Sequence, residues 1–387
     1  MREEGARRPT AVERYPGLIE KYRERLPLAP EVRAITLGEG NTPLVRLENL
    51  AADVGERVEV YAKFEGLNPT GSFKDRGMTV AVTQAVGAGA RAIICASTGN
   101  TSASAAAYAA RAGITAFVII PDGKIAMGKL AQAMMHGAVV IQIKGNFDQG
   151  MQLVKDVAGN APVTIVNSVN PYRLQGQKTI AFEIIEQLGR APDYHCLPVG
   201  NAGNITAHWI GYSECASASG EALTEACNFC EGQCRFARDA TGGRRPVMLG
   251  YQASGAAPFV RGHAVEAPET VATAIRIGRP QSWDLAWAAS RESGGWFDRF
   301  TDEEILAAQK RLGEREGIFC EPASAVSVAG ALRDIENRRI PAGSTVVCTL
   351  TGHGLKDPDV AIRQSEPVVA VDATLEAVRA AIVDHLP

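Results

Sequence analysis

The chain has 387 residues, with 40 Lys+Arg against 43 Asp+Glu for a formal charge of −3, and its length suits two domains or one large α/β domain. Hydrophobic residues at 46% and charged residues at 21% are ordinary globular usage that argues against disorder, and the lack of a basic excess argues against nucleic acid as a partner. The longest apolar stretches, such as Ile114 to Pro121, fall far short of the ~20 residues that span a bilayer; with no apolar core in the N-terminal MREEGARRPTAVERYPG to act as a signal peptide, no membrane partner and a cytoplasmic location are expected.

From Glu59 onward, short β-branched runs alternate with Ala-rich or amphipathic stretches. The runs predict strands at Glu59 to Phe64, Arg91 to Ala96, Thr115 to Ile120, Val139 to Ile143, Val163 to Val166, His195 to Val199, Val247 to Gln252 and Thr345 to Leu350. Between and after them the pattern predicts helices over 75–86, 101–112, 125–136, 147–158, 172–188, 203–213, 302–316 and 322–336. Strands alternating with helices are the signature of parallel sheets, and the fold class read from it is α/β with two doubly wound lobes. Segment 213–245, rich in Ser, Gly, Ala and Cys and without a period, reads as an insertion.

Four motifs stand at the ends of predicted strands. The first is Asn68-Pro-Thr-Gly-Ser-Phe-Lys74-Asp75-Arg76-Gly77. A lysine opening a helix lies at the positive end of the helix dipole, which lowers its pKa and suits it to Schiff-base or proton-shuttle chemistry; a solvated surface lysine fits the spacing equally. Asp75 and Arg76 read as residues that fix the helix start. The second is Ser97-Thr98-Gly99-Asn100-Thr101-Ser102, where hydroxyls and free backbone N–H groups suit a carboxylate, or simply cap the helix. The third is Gly200-Asn201-Ala202-Gly203-Asn204, a glycine turn that lets backbone amides approach a phosphate. The fourth is Thr351-Gly352-His353-Gly354, after a late buried strand, where ligand-facing groups of parallel sheets collect.

In this order and combination, GEGNTPLVRL, NPTGSFKDRG, STGNTSAS, PVGNAGNITA and TGHGLKDP resemble the threonine synthases. These are pyridoxal-phosphate (PLP) enzymes whose fold type II is shared with tryptophan synthase β and threonine dehydratase. The resemblance runs from about Thr36 to Asp359 and implies two lobes with the cofactor in the cleft between them. Residues 1–77 with 169–387 would form the large PLP-binding lobe, 78–168 the smaller lobe carrying the Asn100 loop, and 213–245 an insertion within the large lobe. It further implies a homodimer.

By the same resemblance Lys74 carries PLP covalently and Asn100 hydrogen-bonds the ring hydroxyl. Gly200, Asn201, Ala202, Gly203 and Asn204 cradle the cofactor phosphate, and Thr351 faces the pyridine nitrogen, which a hydroxyl leaves largely unprotonated. Ser97, Thr98 and Thr101 would hold the substrate carboxylate. A separate cationic site for the substrate's phosphate is offered by Asn167, Ser168 and Arg173, the guanidinium binding bidentately, while Lys124 reads as a solvated lysine ahead of a further contact. The implied activity is a carbon–oxygen lyase reaction, the β,γ-replacement that turns O-phosphohomoserine and water into threonine and phosphate, the last step of threonine biosynthesis, with Lys74 as general acid and base.

The chain departs from that pattern in the insertion, where Cys215, Cys227, Cys230 and Cys234 follow the spacing C-x11-C-x2-C-x3-C. Four thiolates can close around zinc or hold an iron–sulfur cluster; free or redox-active thiols and disulfides remain open alternatives, since the spacing matches no strict zinc template. Competing activities within the fold are cysteate synthase, threonine dehydratase and cysteine synthase. Against the last two stand the Gly200–Asn204 turn, in place of a run of glycines, and Thr351.

Overall fold

The computed structural model describes residues 14–55, 57–121, 127–144, 147–160, 163–168, 170–216, 224–227, 229, 236, 243–365 and 367–385. Among these residues ten strands form two sheets. The larger has six strands in the order β1-β2-β10-β7-β8-β9 and the smaller four in the order β5-β4-β3-β6. They are β1 (Leu44–Arg46), β2 (Glu59–Phe64), β3 (Ala92–Ala96), β4 (Thr115–Pro121), β5 (Val139–Ile143), β6 (Val163–Ile165), β7 (Tyr194–Pro198), β8 (Val247–Ala253), β9 (Trp296–Phe300) and β10 (Thr345–Leu350). Every pairing is parallel except that of β1 with β2.

The large sheet is covered on both faces, and alternate residues of its strands divide between two cores. Cys196, Leu249, Tyr251, Val346, Cys348 and Leu350 pack with Leu312, Ala325 and Leu332 of the helices Asp302–Glu316 and Pro322–Glu336. Leu197 and Met248 point to the opposite face, against Phe182, Trp209 and Ala286 of the helices Thr179–Leu188, Gly203–Ala216 and Trp283–Ser293. A strand buried on both faces reads as a near-continuous apolar run, and β3 (AIICA) and β10 (TVVCTL) are buried throughout.

The helix Lys74–Gly87 runs between the sheets and crosses the helix Pro171–Gln177 at very close range. A Cβ at Gly176 would lie 2.0 Å from the Arg76 carbonyl oxygen, and one at Gly77 would lie 2.9 Å from that of Arg173. Beneath the crossing, Arg76 bonds Glu65 at 2.7 and 2.8 Å and Glu183 at 2.7 and 2.8 Å, while Lys63 reaches Glu183 at 2.9 Å, all of them buried. Removing one member of such a buried set strands the others' charge, at a cost of about 3–5 kcal/mol. Arg76 thus fixes the helix start, as its place in the motif suggests.

The predicted helix over 172–188 is two helices, broken at Lys178, whose ammonium turns inward to Glu214 at 2.6 Å and Gln175 at 2.6 Å. Among the described residues no helix is long and apolar enough to cross a membrane.

Candidate active site

The four motifs lie just beyond the carboxyl ends of β2, β3, β7 and β10, where open parallel sheets place their ligands. Three loops are zipped together there. The Phe73 N–H donates to the Thr351 carbonyl at 3.0 Å, the His353 N–H to Gly71 at 2.9 Å, and the Glu321 N–H to Gly352 at 3.0 Å. Isolated antiparallel bridges pair Ser72 with Gly352 and Cys320 with His353. This ladder brings Lys74 and Thr351 to one place although they lie far apart in the chain.

Lys74 opens its helix and is partly buried, with its Nζ 4.2 Å from the centroid of the Phe73 ring. Burial pushes its amine down to about 7, helped by the charge of Arg173 and opposed by that of Glu321. An amine poised near neutrality can be both nucleophile and proton carrier. Next to it, the Asp75 carboxylate accepts from the Thr70 N–H at 2.7 Å, the Thr70 hydroxyl at 2.6 Å and Ser104 at 2.6 Å. It is a brace for the loop.

Asn100 begins the helix Asn100–Ala112, and its Nδ2 donates to Glu321 Oε2 at 3.0 Å. Thr351 Oγ1 donates to the other oxygen of Glu321 at 3.2 Å and lies 2.9 Å from Ser324 Oγ. Glu321 therefore joins the two polar groups predicted for the ring. Glu321 stands just before the helix Pro322–Glu336, and both of these partners come from distant segments. Ser97, Thr98 and Thr101 are partly exposed around the start of the Asn100 helix, with Ser97 Oγ accepting the Gly99 N–H at 3.2 Å.

The turn 200–204 leads from β7 into the helix Gly203–Ala216. Gly200 lies on the turn Thr273–Ile275 so closely that a Cβ would come 3.0 Å from Ile275 Cα. Ala202 has φ +65°, a left-handed conformation that costs a non-glycine residue about 1–3 kcal/mol and gathers at ligand sites. Asn201 accepts the Ser282 N–H on its carbonyl at 3.1 Å. Asn204 is buried, yet both polar atoms of its side chain are without a partner among the described residues. The orphaned Nδ2 donor, buried at a helix N-terminus, fits an anion such as a cofactor phosphate.

Arg173 is 2% exposed, donates to the Val166 carbonyl at 3.1 Å, and leaves its Nε without an acceptor. Among the described residues no carboxylate pairs with it, and burial brings its guanidinium down to about 10. A buried cation without a counter-ion is a second place where an anion fits. Asn167 is drawn elsewhere: its amide spans the backbone of Ala96, accepting from the N–H at 3.0 Å and donating to the carbonyl at 3.0 Å. That clamp extends the pairing of β3 with β6 and takes one of the two N–H donors expected for substrate. Ser168 is partly exposed beside it.

Among the described residues no group of three or more His, Cys, Asp or Glu could hold a metal ion. Cys230, Cys234 and Lys124 lie outside the described residues. Cys215 is buried in the core beside Tyr212 and accepts a hydrogen bond from Arg25 Nη1 at 3.4 Å, and Cys227 is partly buried. The zinc reading of the insertion therefore gains no support from the structure.

Residues 35–352 match the family model described as pyridoxal-phosphate dependent enzyme. Similar proteins include threonine synthase of Synechocystis sp., 56% identical over 352 residues, 91% of this chain and 86% of the relative. Threonine synthase of Mycobacterium tuberculosis is 54% identical over 365 residues (94% and 95%) and that of Methanocaldococcus jannaschii 48% over 370 residues (93% and 86%). Among solved structures, maize serine racemase superposes with a TM-score of 0.67 at 20% identity, covering 96% of this chain and 98% of that one. The processed threonine deaminase isoform 2 of Solanum lycopersicum gives 0.65 at 20% identity, with 84% of each covered. At that identity the two structures show the shared fold alone.

Proposed function

The chain belongs to the pyridoxal-phosphate dependent enzymes and, among them, to the threonine synthases, and on that premise we infer that Lys74 anchors the cofactor and moves the protons of the reaction. The reaction is the conversion of O-phospho-L-homoserine and water to L-threonine and phosphate. The observation that carries the assignment of Lys74 is its half-buried amine, held near neutrality at the point where the loops after β2 and β10 are zipped together.

Pyridoxal phosphate, when bound, supplies a carbonyl carbon for the amine and a ring that accepts electrons from the substrate's α-carbon. Gly200, Asn201, Ala202, Gly203 and Asn204 would hold its phosphate, Asn100 its ring hydroxyl, and Thr351 would face its ring nitrogen. Lys74 Nζ takes the α proton of the substrate and, as the ammonium, returns a proton later in the cycle. Ser97, Thr98 and Thr101, with the N–H groups opening the Asn100 helix, orient the substrate carboxylate. Arg173 with Ser168 and the remaining Asn167 N–H holds the phosphate, neutralising the charge that grows as the Cγ–O bond breaks.

The lobes are taken as 1–77 with 169–387 and 78–168, in keeping with large-sheet strands at 44–64 and 194–350 and small-sheet strands at 92–165. A homodimer and a cytoplasmic location accord with a biosynthetic enzyme of this family. Zinc at the insertion rests on cysteine spacing alone, and metal analysis of the purified protein tests it.

The deciding experiment supplies O-phosphohomoserine to the PLP-loaded protein and follows threonine and phosphate together. Equal amounts, abolished by Lys74→Ala, are expected. A yellow, loaded protein that releases neither product overturns the reading.

A further inference from the structure

Glu321 takes no part in the roles above, yet it is 2% exposed and held at the centre of the site. Its carboxylate lies flat on Gly352, where a Cβ would come 2.5 Å from Cδ. One oxygen accepts from Asn100 Nδ2 at 3.0 Å and the other from Thr351 Oγ1 at 3.2 Å. Ser324 Oγ receives the Gly352 N–H at 3.0 Å and stands 2.9 Å from Thr351 Oγ1. Resting on the function proposed above, we propose that Glu321 is a positioning residue, one carboxyl that orients Asn100 from the small lobe and sets the hydrogen-bond direction of Thr351 from the large lobe.

Counting protons fixes that direction. A carboxylate only accepts, so the single hydroxyl proton of Thr351 is committed to Glu321, and Ser324 supplies its own proton to Thr351. Thr351 then has a lone pair, and no proton, to offer a ring nitrogen. With a proton on Glu321, the direction reverses: the carboxyl donates to Thr351, and Thr351 is free to donate to an unprotonated ring nitrogen. Burial holds the Glu321 carboxyl above the ordinary range, with Asp357 pushing the same way and Asn100, Thr351 and Lys356 pulling it down. Lys74 faces it as well, and Cys320 precedes it in the chain.

The test uses Glu321→Ala and Glu321→Gln of the full chain, measuring PLP affinity by titration of the apo protein, the absorption band of the bound cofactor, and kcat against KM. Glutamine mimics the protonated carboxyl, accepting from Asn100 while donating to Thr351. The alanine variant is expected to bind PLP at least tenfold more weakly and to lose kcat more than KM. The glutamine variant is expected to recover affinity to within about threefold while shifting the band and flattening its dependence on pH. Affinity and band within twofold of the parent in both variants would overturn the proposal. So would a loss that both share in full and that tracks a lower melting temperature of the apo protein, the mark of a merely structural carboxyl. Threonine formation by the parent is scored separately, so failure of the reaction assignment is distinguishable from failure at Glu321.

Discussion

A guanidinium kept in the interior with no carboxylate is a burden on folding that only a ligand relieves. Among the described residues Arg173 is in that position, with its Nε unsatisfied and its basicity lowered by burial to about 10. Arg173→Met should therefore raise apo-protein stability, by about 1–2 kcal/mol in urea unfolding, while lowering kcat/KM for O-phosphohomoserine by ~100-fold or more, mostly through KM. With PLP loaded, so that the 200–204 cradle is filled, inorganic phosphate should raise the melting temperature of the parent and not of the variant. A variant less stable than the parent, with unchanged KM, would remove Arg173 from the substrate site. The sequence nominates Lys74, Asn100, Thr351 and Arg173 through motifs that follow recognisable strands and through the resemblance those motifs carry, and their roles are the ones proposed above. The hydrogen bonds of Glu321 are hidden in the sequence, since its partners stand 221 and 30 positions away. The clamp of Asn167 on the Ala96 backbone is hidden for the same reason: nothing in a strand-end asparagine says which neighbouring strand will claim its amide.

At the scale of elements, β2, β5, β10 and the helices 302–316 and 322–336 fall at the predicted boundaries, because β-branched runs and amphipathic stretches state their own period. β1, three residues long, and β9, WFDRF at the sheet edge, escape the sequence pattern; neither has enough residues or β-branching to announce a strand. The helix Gly203–Ala216 runs past its predicted end at 213, and its inner face is the part its sequence does not reveal. There His195 bonds Tyr212 at 2.8 Å and Thr349 at 2.8 Å, while His208 bonds the Asn204 carbonyl at 2.8 Å and Thr349 at 3.3 Å. Burial drives His208 down to about 4, and His195 also well below its ordinary value. Between pH 6.5 and about 4 the unfolded chain binds protons that these rings refuse, so stability falls as pH falls through that window. His208 alone accounts for ~3 kcal/mol at full extent. Urea midpoints measured from about pH 7 to about 4.5 should decline in the parent and decline less steeply in His208→Gln. Equal slopes would mean that His208 does not carry the effect.

For the whole molecule, the decisive feature is that the large sheet is assembled from both ends of the chain around the small one. β10, among the last elements, pairs between β2 and β7, so Lys74 and Thr351 meet only when the fold is complete. Elements of the two sheets then touch across the site through Asn100 with Glu321 and through Gln132 with Lys356 at 2.5 Å. Beyond that closure the chain continues into a segment that joins neither core. Residues 367–385 are exposed but for the half-buried Ala377 and Ala381, and the helix Leu375–Asp384 buries none of its residues. A segment that removes little apolar surface from water contributes little to set against the entropy of its own ordering. Deleting everything after Ser365 should then leave the melting temperature within about 1 °C and kcat/KM within about twofold of the full chain. A drop of several degrees, together with a change in sedimentation, would show that Val368, Leu375 and Ile382 are covered in solution, and that the stability of this enzyme includes a contact the single chain does not make.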